Sequence, residues 1–394
     1  NDLRSRALAS IKADDVTSIT LKNAKGTIAL QKKDWEWKMT EPKEVKADST
    51  AATDLAKLIE ETKVDEWIDQ PATLEQYGLD QPASIALVQK KNDKETKVEV
   101  LAGKKEGDHC YVKLADKPWV MKVPAKVADA LSRDYLAFRS RRRLDFTKMK
   151  AHKLNIARSD GLLVVSEKID ENKWKLSKPV AGDADTGNIN TLLWDLCTLD
   201  ADKLVEEAAK DLAAYGLDKP EITASVSVET GDDKEKKDTT HTLLVGKPVP
   251  PEQKPDEKSE PSPTAWYAKV DGQDIIFTLR KSIVDHLKAN FLSLNVMTFE
   301  KDSATSITFA RGDQKIVCER KDKDSDWAMT APADAKGDHN KIRSVVETLS
   351  SLRAAEYADY DPKDPASYGL DSPATVITVK AGADEKTLKI GRKR

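Results

Sequence analysis

Short stretches of alternating apolar and polar residues open the chain. Residues 18–21, 27–31 and 35–39 each place an apolar side chain at every second position, with polar turns between them. A period of two over such lengths predicts a meander of three β-strands. The same pattern returns at residues 153–157, 162–167 and 174–176. The sequence therefore predicts two similar meanders.

Helical spacing replaces the alternation after the meanders. Apolar residues then recur at steps of three and four, most weakly in the first copy. They are Ala52, Leu55, Ala56 and Ile59; Ile189, Leu192, Leu193, Leu196 and Leu199; and Ile342, Val345, Val346, Leu349 and Leu352. Asp48, Asp185 and Asp338 precede these runs, where Asp caps the free N–H groups of a first turn. We expect three capped helices, each packed by its apolar face on a sheet.

A hexapeptide, Tyr-Gly-Leu-Asp-x-Pro, occurs three times, at residues 77–82, 215–220 and 368–373. Trp37, Trp174 and Trp327 precede its tyrosine by 40, 41 and 41 residues, and a proline follows each Trp five residues later. Downstream of each hexapeptide, strand-like stretches end in a glycine. The equal spacings indicate that the same structure is built three times.

The predicted fold class is α+β, with tandem repeats of a mainly antiparallel sheet and packed helices, three units in a row. The units are residues 1–140, residues 141–293 with a solvent-exposed Pro-rich insertion at 248–264, and residues 294–394. Units one and two end in a closing helix, at residues 125–137 and 282–289, which the third unit lacks. We therefore expect the natural polypeptide to continue. Residues 3–6 echo the joint at 138–141, so we also expect a repeat or an anchor upstream.

The composition of the chain argues against some classes of function. The 394 residues carry 65 Lys+Arg against 68 Asp+Glu, a net charge of -3, which argues against a nucleic-acid-binding surface. No apolar run approaches the roughly 18 residues of a membrane-spanning helix. The chain starts without Met or a signal-type segment, so we expect a fragment or a processed product.

The repeated residues have a structural and a functional interpretation. In a turn, Gly permits positive φ, Asp accepts backbone N–H groups and Pro opens an extended segment. Alternatively, Asp80, Asp218 and Asp371 contact a ligand, and the repeated Trp residues are sugar-stacking platforms. We favour structure, because repetition across units reflects a shared packing requirement. The residues concerned are Trp37, Tyr77, Gly78, Asp80, Pro82, Trp174, Tyr215, Gly216, Asp218, Pro220, Trp327, Tyr368, Gly369, Asp371 and Pro373.

Residues 139–143, Arg-Ser-Arg-Arg-Arg, form the densest basic cluster. They could meet a phosphate or another anionic partner, or they could lie at a helix end, where cations oppose the macrodipole. We favour the helix end.

Catalytic motifs are missing from the sequence. The five His are dispersed, the three Cys are widely spaced and no glycine-rich phosphate loop occurs. Paired acids such as Glu206 and Glu207 are expected by chance among 68 carboxylates. We therefore expect neither catalytic residues nor a metal or other cofactor.

The Trp with its proline, the capped helix, the hexapeptide and the strand ending in Gly together resemble the bacterial domain-of-unknown-function 4340 family. The resemblance covers nearly the whole chain in three passes. It implies a membrane-tethered, extracytoplasmic bacterial protein on the periplasmic side, often encoded beside gliding-type ABC transporter components. It carries over no catalytic residue.

Three hypotheses follow for function. The leading one is a non-enzymatic repeat scaffold or accessory protein that binds protein partners at an envelope complex, and that binds no nucleic acid. The second is a module that binds envelope polysaccharide or peptide in grooves between units. A hydrolase is the third and least favoured, because nucleophile and metal constellations are missing.

Overall fold

The computed structural model describes residues 4–92, 94–231, 237–250, 262–333, 335–360 and 362–393. Most of the predicted Pro-rich insertion, residues 251–261, lies outside this range. The chain divides into two compact units. The first comprises Asn1–Arg143, Leu199–Lys210 and Asp274–Leu279, and the second comprises Leu144–Thr198, Asp211–Gln273 and Arg280–Arg394. The three repeat boundaries stay a prediction.

Nine antiparallel strands form the first sheet, and two helices belong to it. In chain order the elements are β1 (Val16–Asn23), β2 (Gly26–Lys33), β3 (Glu36–Glu41), β4 (Val45–Lys46), α1 (Ser49–Glu61), β5 (Glu66–Ile68), β6 (Ala83–Lys91), β7 (Lys94–Glu106), β8 (His109–Leu114), β9 (Val120–Pro124) and α2 (Lys126–Leu131). The strand order is β4-β3-β2-β1-β6-β7-β8-β9-β5. The predicted meander is thus β1 to β3, and β1 joins it to the β6–β7 hairpin.

The first core lies between this sheet and α1. Asp48 caps the helix as predicted, since its carboxylate accepts the N–H groups of Thr50 and Ala51. The four predicted apolar positions of α1 are buried and belong to one cluster with the inward residues of the sheet, including Trp37. Alternation in the strands and helical spacing in α1 therefore produce one continuous apolar layer.

A second set of strands repeats this order. Its elements are β10 (Ala151–Arg158), β11 (Leu163–Asp170), β12 (Lys173–Lys178), β13 (Gly182–Asp183), α3 (Thr186–Cys197), β14 (Leu204–Glu207), β15 (Ile222–Thr230), β16 (Lys237–Pro248), β17 (Ala265–Val270), β18 (Ile275–Arg280) and α4 (Lys281–Leu287). In the second unit the order β13-β12-β11-β10-β15-β16-β17 matches that of β4 to β8. In the first unit β14 pairs with β18, as β5 pairs with β9.

The last part of the chain builds a smaller sheet. Its elements are β19 (Asn295–Thr298), β20 (Ala304–Arg311), β21 (Gln314–Glu319), β22 (Ala328–Ala331), α5 (His339–Ser350), β23 (Ser351–Arg353), β24 (Thr375–Ala381) and β25 (Asp384–Ile390). The five-stranded order is β22-β21-β20-β24-β25, and β19 pairs with β23. The described residues thus form mainly antiparallel sheets with packed helices, which is an α+β architecture.

Three local predictions were wrong. Trp35, predicted within a strand, lies at the tip of the β2–β3 hairpin with φ +73°, where it is 87% exposed. The helix predicted at 125–137 is α2 followed by a separate 3-10 turn, Tyr135–Phe138. Val345, predicted on a buried face, is exposed. α1 and α3 each contact a closing α-helix, and among the described residues of the third part no α-helix follows α5 to cover Val345.

Candidate functional site

The repeated hexapeptide has the same backbone geometry in all three places. A 3-10 helix ends at its tyrosine, and the following Gly78, Gly216 and Gly369 adopt φ of +66°, +67° and +70°. Side chains other than glycine rarely adopt this left-handed conformation. The glycine requirement of the motif is therefore a backbone requirement of the turn.

A second glycine holds each turn against a strand. A Cβ on Gly103 would lie 2.1 Å from the carbonyl oxygen of Tyr77. A Cβ on Gly246 or Gly391 would lie at the same distance from the carbonyl oxygen of Tyr215 or Tyr368. Any side chain at these strand-ending glycines would collide with backbone. The hexapeptide turn and the strand ending in Gly are thus two halves of one close contact.

The other motif residues surround this contact. Leu79 and Leu217 are buried beneath the turn, while the motif Asp residues are exposed and the motif Pro residues are half-buried. Each turn lies beside its own sheet, Asp80 in the first compact unit and Asp218 and Asp371 in the second. The hexapeptide residues therefore lie in three separate turns.

The repeated Trp residues lie in the cores. Trp37, Trp174 and Trp327 are each at most 3% exposed. Their rings are covered by neighbouring side chains, so their faces are closed to a sugar ring. The proline five residues after each of them follows a cis peptide bond.

The arginine segment, residues 139–143, is taken up by contacts within the first compact unit. Arg139 pairs with Glu207, Arg141 Nε lies 3.1 Å from Asp48 Oδ2, and Arg142 Nε lies 2.8 Å from Asp200 Oδ1. The segment begins at a helix end, as favoured, but the helix is the 3-10 turn Tyr135–Phe138, whose C-cap is Arg139, and α2 ends earlier at Leu131. The segment also neutralises three carboxylates.

Arg143 is the buried member of the segment. Its guanidinium donates to the backbone carbonyls of Ser140 and Arg141. Burial lowers the pKa of Arg143 to about 10, so the side chain keeps its charge at neutral pH. A buried cation held by carbonyl oxygens fixes the path of the segment around it.

Glu207, which the sequence analysis named only as one of two adjacent acids, has three polar partners. It accepts from Tyr135 Oη at 2.7 Å and from Lys43 Nζ at 2.9 Å, in addition to Arg139. Desolvation favours the neutral acid, but these hydrogen bonds outweigh it and lower the pKa of Glu207 to about 2. Burial and the bond to Glu207 raise the pKa of Tyr135 to about 12. The group is a partly buried charge network.

The same backbone contact occurs three times, before three of the sheet segments. Val64 N–H donates to Arg6 O at 2.7 Å, Ala201 N–H to Arg141 O at 2.8 Å, and Ala354 N–H to Leu294 O at 2.8 Å. We call these three contacts the entry joints. In each, the segment after α1, α3 or α5 pairs with the segment that leads to β1, β10 or β19.

Side chains differ between the entry joints. At the first, Arg4 pairs with Asp69 at 2.6 Å and lies 4.9 Å from the ring centre of Trp67. Arg139 and Glu207 take the corresponding positions at the second. At the third, Tyr360 Oη donates to Asn290 Oδ1 at 2.9 Å. The backbone hydrogen bond is thus common to all three entry joints, while the side-chain contacts around it differ.

Exposed aromatic side chains and open clefts form the remaining candidate surfaces. Trp35 stands at its hairpin tip with Lys32 Nζ 5.6 Å from the ring centre, and Trp194 on α3 is 63% exposed. A cleft of about 440 Å³ in the first unit is lined by Asp48, Arg133 and Lys203, among others. Both aromatic rings can be reached by a partner.

The potential metal ligands and the thiols are spread over the described part of the chain. No three His, Cys, Asp or Glu side chains there are placed to hold a metal ion. The three cysteines are free and buried, and burial raises the pKa of the Cys110 thiol. Among the helices of these residues, none is both long and apolar enough to cross a membrane.

Sequence comparison identifies the family. The profile described as "Domain of unknown function (DUF4340)" matches residues 1–82, 37–181, 174–373 and 327–394. The chain belongs to this family. The overlapping matches of this DUF4340 chain begin or end at the Trp and hexapeptide positions described above. A search of curated proteins found no relative.

Proposed function

We propose that this DUF4340 chain is a non-enzymatic repeat scaffold or accessory protein, in which three tandem α+β units offer their surfaces to protein partners. Its place is the periplasmic side of a bacterial membrane, to which the full-length protein is tethered. The partner complex is of the gliding-type ABC transporter kind or another envelope assembly. The family resemblance supports the location and the class of partner.

The repeated entry joint is the observation that supports a scaffold best. The same backbone hydrogen bond recurs at Val64, Ala201 and Ala354, while the surrounding side chains change from Arg pairs to Tyr. Repeat proteins are built in this way, because each unit needs only its neighbours and its outer surface is free to vary. Trp35 and Trp194 are the exposed aromatic anchors on that surface, and aromatic residues are enriched where proteins bind each other.

Site-specific photocrosslinking in the native envelope tests this proposal. A photoreactive amino acid replaces Trp35 or Trp194, and Asp313, in the turn between β20 and β21, serves as the control position. We expect the same envelope protein to be crosslinked repeatedly from at least one Trp position and not from Asp313. Crosslinks that are equal at all three positions, or that yield only abundant unrelated proteins, would contradict the scaffold.

The second candidate function is binding of envelope polysaccharide or peptide. It is favoured by the exposed ring of Trp194, which is flanked by Lys148 Nζ at 4.7 Å from the ring centre. A flat aromatic face beside a cation suits an acidic sugar. A glycan array probed with the chain and with Trp194→Ala separates the two candidates, since only the glycan-binding module requires a signal that the substitution removes.

A further inference from the structure

Five outward positions of α3 carry no charged residue. They follow the N-cap at helical spacing and are Gly187, Asn190, Thr191, Trp194 and Thr198, which we call the α3 face. All are exposed except Asn190, which is half-buried, and Trp194 is 63% exposed. The outward side of a surface helix usually carries charged residues. Loss of charge around an aromatic side chain is instead typical of the centre of a protein interface.

The other two long helices show that the fold does not require this composition. α1 and α5 begin after Asp48 and Asp338 as α3 begins after Asp185, so their positions correspond one to one. Where α3 has Trp194, α1 has Lys57 and α5 has Glu347. The other charged residues at positions of the α3 face are Asp54 and Glu61 in α1 and Arg343 in α5. The uncharged face is thus specific to α3.

Lys148, in the 3-10 turn before β10, shows the effect of the Trp. In the third part of the chain, Lys301 at the corresponding position has its Nζ 3.4 Å from Glu347 Oε1. Lys148 Nζ instead lies 4.7 Å from the ring centre of Trp194. The next residue, Met149, is 60% exposed and adds apolar surface. An aromatic ring has therefore replaced one partner of an ion pair.

The α3 face is complementary to itself. Gly187 and Trp194 are seven residues apart, about 10 Å along the helix axis, and Asn190 and Thr191 lie midway between them. A twofold axis at this midpoint would pair two α3 helices antiparallel, with each Trp194 opposite the Gly187 of the other copy. A Cβ on Gly187 would meet only Asp185 Oδ1, at 3.2 Å, so the space outside Gly187 is open. A large ring thus faces an open position at both ends, as a twofold interface requires.

The charges that flank the α3 face favour the antiparallel direction. Asp185 places a carboxylate at the start of the helix, and Lys148 places an ammonium group beside Trp194, toward the end of the helix. An antiparallel pair brings each ammonium group toward the carboxylate of the other copy. A parallel pair would bring like charges together.

We propose that the α3 face binds a second copy of this chain through its own α3 face, with the two helices antiparallel and Trp194 of each copy packed on Gly187 of the other. α3 is about 18 Å long, which limits the area that the pair buries, so the dimer is weak and reversible. The dimer goes beyond the proposed scaffold, because it names a second copy as the occupant of the surface around Trp194.

Sedimentation velocity of the 394-residue chain tests the proposal. We expect a reversible monomer–dimer equilibrium with a Kd of about 10–200 µM, measured at loading concentrations from about 5 to 400 µM. Trp194→Lys gives α3 the residue that α1 has at this position, and it should weaken the dimer at least about tenfold. Gly187→Gln fills the space opposite Trp194 and should have a similar effect.

The same substitutions at corresponding positions of the other helices are the matched controls. Glu347→Lys on α5 and Thr50→Gln on α1 should leave the dimer equilibrium unchanged. All four positions lie on the outward side of their helices, and circular dichroism checks that each variant is folded.

Cysteine crosslinking tests the direction of the pair. Thr191 lies beside the twofold axis, whereas the two Thr198 residues of an antiparallel pair are about 22 Å apart along the helix axis. Diamide should therefore link Thr191→Cys into a disulfide dimer and leave Thr198→Cys monomeric. The three native cysteines are buried, so the introduced thiol is the one that reacts.

Several outcomes would overturn the proposal. They are a chain that stays monomeric at every concentration, a dimer that survives Trp194→Lys or Gly187→Gln, an equal loss in Glu347→Lys or Thr50→Gln, and equal disulfide formation at positions 191 and 198. If the chain stays monomeric while photocrosslinks from Trp35 or Trp194 reach another envelope protein, the dimer is excluded and the scaffold stands. If the dimer forms while those crosslinks are missing, the scaffold is wrong and the dimer stands.

Discussion

Replacing Glu207 by Gln is the most informative test of the second entry joint. The substitution keeps the shape of the side chain but removes the charge that Arg139 and Lys43 neutralise. Asp69→Asn is the matched control, because Asp69 has the corresponding position at the first joint, where it pairs with Arg4. The Arg139–Glu207 pair of the second joint is less exposed to solvent than the Arg4–Asp69 pair of the first.

The expected magnitude follows from the pKa of Glu207. Its fall from an ordinary 4.5 to about 2 corresponds to roughly 3 kcal/mol, since a tenfold change in proton affinity is about 1.4 kcal/mol. Lys43 is more than half exposed, so water screens its interaction with Glu207 and reduces its part of this free energy. We therefore expect Glu207→Gln to destabilise the second joint by about 2 kcal/mol. At the first joint Arg4 and Asp69 are 37% and 47% exposed, and Asp69→Asn should cost under about 0.5 kcal/mol.

Hydrogen exchange measures each joint separately, which matters because a chain with two compact units need not unfold in one step. The amides of Ala201 and Val64 report the second and first joints. Exchange at Ala201 should accelerate roughly 30-fold in Glu207→Gln, while Val64 should barely change in Asp69→Asn. A cycle with Arg139→Met isolates the coupling of the pair.

The dependence on pH has a definite sign. Because the pKa of Glu207 is lower in the folded chain than in the unfolded one, its contribution is fully present above about pH 4.5 and is lost as the pH falls toward 2. Protection of Ala201 should fall over that range in the unmodified chain more than in Glu207→Gln. Equal effects of the two substitutions, or no effect at Ala201, would refute the role given to this network.

Three further predictions concern packing and chemistry. Leu192→Asp should unfold the part of the chain around α3, since a lone buried carboxylate is costly. Val345→Asp, at an exposed position, should leave the melting temperature nearly unchanged. Similar melting temperatures for both variants would refute the assignment of buried and exposed helix faces. Gly103→Ala should lose about 1–3 kcal/mol more in urea unfolding than Gly107→Ala, because only Gly103 would collide with the Tyr77 carbonyl, whereas Gly107→Ala meets no neighbouring atom and strains only a backbone with φ +59°. Equal losses would count against that contact. Finally, protein purified without chelator should contain less than stoichiometric metal and show no turnover in a broad hydrolase panel; stoichiometric zinc or reproducible turnover would contradict the scaffold.

The sequence predicted the elements whose pattern is local. Strand alternation and the Asp caps of the three helices depend on neighbours within one element, and they correspond to β1–β3, α1, α3 and α5. The prediction for Val345 was wrong because helical spacing shows which face of the helix is apolar, but only tertiary structure shows how much of that face is covered.

The contacts of the candidate surfaces depend on residues far apart in sequence. Glu207 meets Arg139 across an intervening sheet segment, and nothing in the spacing of the two indicated the pair. The charge of the arginine segment was visible, but its carboxylate partners were three among 68.

The arginine segment has a consequence for cutting the chain into pieces. Residues 199–210 and 274–279 complete the first compact unit, although they follow the predicted boundary at residue 140 by a long stretch of sequence. A cut at that boundary would remove the carboxylate partner of Arg139 and separate the Arg143 guanidinium from the carbonyl of Ser140. Trypsin, which needs an accessible, mobile cleavage site, should spare residues 139–143 in the intact chain. Limited proteolysis would therefore yield fragments that do not coincide with the repeats, and a single repeat could not be deleted or exchanged without its neighbour's strand.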